Sequence, residues 1–114
     1  MLTIEKLREW GANTDEAMVR CLNNEKFYLM LVGKAIQDPA FEKLPEAVAA
    51  KELDKAFELA HALKGVMANL ALTPITDPVS EMTELLRSGT DTDYTPYVEK
   101  IREKRGELIQ LSDV

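Results

Sequence analysis

Leu53-Asp54-Lys55-Ala56-Phe57-Glu58-Leu59-Ala60-His61-Ala62-Leu63-Lys64-Gly65-Val66-Met67-Ala68-Asn69-Leu70 is the stretch whose period decides the fold. Leu53, Ala56, Ala60, Leu63, Met67 and Leu70 recur at steps of three and four, so on a helix they form one apolar stripe suited to a bundle core. The only histidine of the chain, His61, stands off that stripe toward its edge and is expected to reach solvent. Residues three, four and seven positions away share its side of the helix, which makes Phe57, Lys64, Gly65 and Ala68 its neighbours. Lys64 brings a cation to that side. Gly65 has no side chain and Ala68 only a methyl, so the surface beside the ring is low enough for another protein to approach. Glycine inside a helix costs about 1 kcal/mol relative to alanine, so a reason other than helix stability is expected for Gly65.

His61-Ala62-Leu63-Lys64-Gly65, followed by Ala68 and Leu70, resembles the His-x-Leu-Lys-Gly signature of histidine-containing phosphotransfer domains, the HPt modules of multistep two-component phosphorelays. Weaker similarity extends from about Asp15 to Leu111. The resemblance implies a four-helix bundle whose histidine accepts a phosphoryl group from a receiver-domain aspartyl phosphate and passes it to another receiver. It implies that His61 is the phosphorylated residue, that Lys64 supports the phosphoryl group and that Gly65 gives the partner room. Two positions depart from the family pattern. Ala71 stands where the family often has glycine, just after the leucine closing the motif. Thr83 stands where many members place glutamine or glutamate on the next helix, with Glu81 and Glu84 as neighbouring candidates.

A length of 114 residues suits one domain spanning residues 1–114 with a single core. Apolar residues make up 46% and charged residues 30%, the balance of a folded globule. The longest apolar run, Phe27 to Val32, is far short of a membrane span. Glu5, Lys6, Arg8 and Glu9 interrupt the first stretch before a signal-peptide core can form, so a cytoplasmic location is expected. The ends at Met1 and Val114 favour a free-standing chain.

Cys21 is the single cysteine, so no internal disulfide can form; beside Met18 and Leu22 it reads as a buried structural thiol. One histidine and one cysteine cannot assemble a zinc site, and the carboxylates follow no calcium-loop pattern, so no bound metal or cofactor is expected. A net charge of -6 argues against a nucleic-acid ligand. Lys100, Arg102, Lys104 and Arg105 gather near the end but alternate with Glu99, Glu103 and Glu107, as on a solvated face laced with opposite-charge pairs.

Along the chain, Thr3 predicts a helix cap with Glu5 in the first turn and Gly11 as the stop, and this short helix is expected to cover one end of the bundle. Thr14 or Asp15 would cap a segment over 16–22, and Asn24 a helix through Phe27, Tyr28, Leu31, Val32 and Ile36, ended by Asp38-Pro39. Leu44-Pro45 would open a short segment over 46–50, followed by the motif helix over 52–71. Thr73-Pro74-Ile75-Thr76-Asp77-Pro78 reads as a connection, with Asp77 capping a helix that buries Val79, Met82, Leu85 and Leu86 and stops at Gly89. A last helix from Tyr94 or Thr95 carries Tyr97, Val98, Ile101, Leu108 and Leu111. Short connections favour an all-α, up-and-down antiparallel four-helix bundle with a short additional N-terminal helix.

Together these readings predict a phosphocarrier, with Phe57 and Ala68 at the docking rim and magnesium supplied by the partner's receiver domain. The expected partners are response-regulator receivers and a hybrid sensor histidine kinase, with the chain itself a monomer. A noncatalytic adaptor of the same family, binding receivers without phosphate exchange, is the alternative. A hydrolase lacks a second histidine and a phosphate-cradling glycine loop, and an ATP-binding autokinase domain has no room.

Overall fold

A computed structural model describes residues 1–113; Val114, at the end of the chain, lies outside the described residues. Every element among them is helical: α1 (Ile4–Trp10), α2 (Thr14–Arg20), α3 (Glu25–Ile36), α4 (Ala40–Ala49), α5 (Leu53–Asn69), α6 (Thr73–Arg87) and α7 (Thr95–Asp113). The motif helix α5 packs most extensively on α6 and then on α4, α6 leans on α7, and α7 also meets α1, α3 and α4. Ala56, Ala60, Leu63 and Met67 of α5 are sealed in a core shared with Tyr28, Val32, Leu44, Leu72, Ile75, Met82 and Leu108. Leu53, the first residue of the expected stripe, is only half-buried because it opens the helix.

Local chemistry accounts for most helix starts. The Thr3 side chain accepts from the Lys6 N–H at the head of α1, and Asn24 Oδ1 accepts from the Phe27 N–H at the head of α3. At α2 the cap is Asn13, whose Oδ1 accepts from the Glu16 N–H, rather than Thr14 or Asp15. Thr14 is instead buried, its hydroxyl accepting from Arg8 Nε. Along α3 the core face is Tyr28, Val32, Ala35 and Ile36, which turns Phe27 outward. Asp93 Oδ1 accepts from the Thr95 N–H where α7 begins, and hydrogen bonding from Thr95 holds the Asp93 carboxyl below its ordinary range.

Two proline-bearing segments differ from the sequence reading. Helix α4 runs unbroken through Pro45, so no separate segment begins there. Pro45 lacks the N–H that would reach the Phe41 carbonyl, yet its fixed φ is helical, and burial of Ala40, Phe41, Leu44 and Ala47 on one face outweighs the lost hydrogen bond. Likewise, residues 73–78 belong to α6 rather than to a connection. Pro74 lies in the first turn, where N–H groups have no intrahelical acceptor, and Asp77 caps nothing. Pro78 is interior and buried beside Ile75, Val79 and Met82. The Ile75 and Thr76 N–H groups and the Thr76 hydroxyl all donate to the Leu72 carbonyl, which secures that first turn.

The first helices are fastened to the motif helix at its C-terminal end. Gly11 takes φ +121°, and a β-carbon there would lie 3.0 Å from Cγ of Pro74. The Asn13 N–H donates to the Ala71 carbonyl at 3.0 Å, and the buried Tyr28 hydroxyl donates to the Leu70 carbonyl at 2.8 Å. Arg20 Nη1 donates to the carbonyls of Ala68 and Asn69 at 2.8 and 3.0 Å, while Nη2 pairs with Glu16. A cation at this end also opposes the negative pole of the helix dipole. Cys21 caps α2 and is half-buried rather than enclosed. Against α7, Trp10 Nε1 donates to Glu107 Oε1. Of the basic residues near the end, Arg105 is not simply solvated: it donates to the Ile36 carbonyl and lies over the Phe41 ring.

Candidate functional site

Helix α5 presents its unburied side as a graded surface. His61 is exposed, Gly65 and Ala68 are exposed one and two turns further on, and Phe57 and Lys64 are half-buried. The arrangement follows from the period: with Ala56, Ala60, Leu63 and Met67 facing the core, the residues between them are turned outward. Phe57, one turn before His61, stacks on it with ring centroids 5.7 Å apart and planes 16° from parallel.

Gly65 is not explained by packing within the chain. A β-carbon built on it would meet nothing within 4 Å, and its φ lies in the ordinary helical range. An alanine would therefore fit, and the helix forgoes about 1 kcal/mol by lacking it. The low patch formed with Ala68 borders an open groove between α3 and α5, lined by Leu31, Lys34, Gly65, Val66 and Asn69.

Helix α6 completes the surroundings. Lys64 Nζ lies 3.7 Å from Glu84 Oε1, and Glu84 Oε2 lies 3.5 Å from Arg87 Nε. The Arg87 guanidinium sits 5.2 Å from the centroid of the Phe57 ring. Of the three α6 positions proposed from the sequence, Thr83 is sealed in the core and its hydroxyl donates to the Val79 carbonyl of its own helix at 2.7 Å. Glu84 is the one paired with Lys64, and Glu81 is exposed. Arg87 is a site residue that sequence reasoning misses. Its signal is nevertheless present: Glu84 and Arg87 stand three apart on a helix whose core face is Val79, Met82 and Leu86, so they share an outward side.

Ala71 takes φ +56°. It follows the Leu70 cap of α5; its N–H reaches the Ala68 carbonyl, and the Leu72 N–H reaches Met67. This closing pattern places the residue after the cap in the left-handed region, where glycine is the least strained choice. This chain meets that position with alanine.

No group of three or more His, Cys, Asp or Glu side chains that could hold a metal ion occurs among the described residues. None of the described helices is long and apolar enough to cross a membrane.

Residues 37–112 match the family model described as Hpt domain. The chain belongs to the Hpt domain family. Compared with curated proteins and with solved structures, it matches none. Hpt domains serve phosphotransfer in two-component signalling and interact with receiver domains and kinases. The matched segment begins directly after α3 and takes in α4, α5 and α6 and nearly all of α7, so the Hpt match contains the whole graded surface around His61.

Proposed function

We propose that this Hpt protein is an intermediate of a multistep phosphorelay in the cytoplasm, accepting a phosphoryl group on His61 from a receiver aspartyl phosphate and delivering it to a second receiver. The observation that carries the proposal is the exposed imidazole of His61 next to Gly65, a glycine that no contact within the chain requires. An absent side chain without an internal cause is understandable if the space is needed by a partner. In the transfer, a ring nitrogen of neutral His61 attacks phosphorus in line, an N–P bond forms, and the P–O bond to the aspartyl group breaks with its electron pair returning to the carboxylate. Such chemistry depends on positioning and charge stabilisation, and magnesium would come with the receiver's own carboxylates.

Lys64 would stabilise the new charge of about -1.5 to -2 on the modified ring. Its attraction amounts to about 1–4 kcal/mol per unit charge at 4 Å, depending on exposure. Phe57 and Ala68 would form the rim against which the receiver seats. The scaffold that holds this surface rigid is read as four principal helices in an up-and-down antiparallel arrangement, with α1 as the addition. A hybrid sensor kinase carrying a receiver is a fitting upstream donor.

The test mixes the protein with a phosphorylated receiver and magnesium and follows label that is acid-labile and base-stable. Label is expected on the wild type and lost in His61→Ala. Label persisting in that variant would refute the assignment, and a stable receiver complex without any label would support an adaptor instead.

A further inference from the structure

Lys64, the cation the proposed reaction needs, is already engaged. Glu84 holds it through one carboxylate oxygen and holds Arg87 through the other, at 3.7 and 3.5 Å. Arg87 in turn lies over Phe57, and Phe57 stacks on His61. The contacts therefore form a circuit that leaves the imidazole through Phe57, crosses to α6 and returns to α5 at Lys64, three residues from His61. Within it, one carboxylate faces two cations.

We infer that Glu84 is a positioning residue that stands in for the phosphoryl group, holding Lys64 and Arg87 in the unmodified protein and yielding them when His61 is phosphorylated. The inference rests on the reading of His61 as the acceptor. A phosphoryl group offers more negative charge than a carboxylate and three acceptor oxygens, so it is the stronger partner for both cations. The Glu84 side chain is 59% exposed and can swing into water when displaced. Until then it keeps Lys64 directed toward α6 and offsets part of the positive charge that would hold phosphohistidine. Glu84 thereby limits how long the group stays on His61, which favours a carrier that must release it. Arg87, on the same carboxylate, becomes a second cation for the modified ring.

The experiment uses the full chain, labelled from a phosphorylated receiver that is then removed, and measures both the hydrolysis rate of the label and its equilibrium division with fresh receiver. Glu84→Gln should lengthen residence on His61 by about two- to fivefold, the scale of an exposed ion pair. Arg87→Gln should shorten it by a similar factor. In a Lys64→Gln/Arg87→Gln background, Glu84→Gln should no longer act; with both cations present, Glu84→Asp should keep residence near the wild-type value. A purely structural tie between α5 and α6 would alter thermal stability without this dependence on the two cations. Unchanged residence in Glu84→Gln, or an equal gain in the background lacking both cations, would overturn the inference while leaving His61 as acceptor. Label that does not depend on His61 would instead bring down the proposed function, and this inference with it.

Discussion

The ring of Phe57 lies nearly parallel to that of His61, one helical turn away, and stacks on it with centroids 5.7 Å apart. A stacked pair is worth about 0.5–1.5 kcal/mol beyond burial, enough to bias the orientation of an exposed ring. Phe57→Leu keeps apolar bulk and removes the stack. Phosphoryl uptake by His61 should slow by about threefold to tenfold, since misorientation of an attacking group is costly. Stopped-flow kinetics with a phosphorylated receiver would measure this, and an unchanged rate would mean that the stack plays no part.

Gly65→Ala should separate stability from function. With open space around the new methyl, the variant should be more stable by about 0.5–1 kcal/mol, read by chemical denaturation. Receiver binding or phosphotransfer should nevertheless weaken. A variant that gained stability and transferred normally would show that no partner needs the space beside His61.

Lys64→Gln should slow transfer or shorten phosphohistidine residence without unfolding the protein. Its ion pair with Glu84 is partly exposed, so the loss of stability should stay within about 1 kcal/mol. Circular dichroism melting and the label assay, run on one preparation, would show the two effects apart.

Tyr28 provides a pH signature. Burial, aided by the neighbouring Cys21, pushes its hydroxyl up to about 12 from an ordinary value of 10. The folded state therefore keeps this proton where the unfolded chain has lost it, and stability should fall as pH rises from 10 toward 12. Tyr28→Phe should remove that part of the alkaline loss. At neutral pH it should cost about 1–2 kcal/mol, because the Leu70 carbonyl loses its buried donor. Denaturation midpoints from about pH 7 to about pH 12 would check both statements.

Lys51 takes φ +58° just past the end of α4 and is exposed. Lys51→Gly relieves a left-handed backbone that costs a non-glycine residue about 1–2 kcal/mol, partly offset by the freer unfolded chain. A net gain of about 0.5–1 kcal/mol is expected by urea titration.

The sequence is most legible where one physical cause acts alone. The stripe of α5 and the caps at Thr3 and Asn24 depend on local spacing, and the structure reproduces them. The helix interiors at Pro45 and Pro78 escape a local reading because it weighs proline only against its own hydrogen bond, while burial of Phe41, Leu44, Ile75 and Val79 comes from distant helices. The ends of α2, α4 and α5 are obscured for another reason: Leu22, Lys51 and Ala71 adopt the positive φ usually announced by glycine. At the site, His61, Lys64 and Gly65 can be placed from one helix. The engagement of Lys64 by Glu84 and of Phe57 by Arg87 needs the register between α5 and α6, which no local pattern encodes.

The grip of Arg20 and Tyr28 on the last carbonyls of the motif helix bears on how this protein can be trimmed. Both residues precede position 37, where the family match starts, yet they hold the carbonyls of Ala68, Asn69 and Leu70. A fragment excised at the matched boundaries would keep every side chain around the imidazole but leave the tail of its supporting helix to fray. The stretch that carries the family match thus leaves out two of the residues that tie down the end of its own central helix.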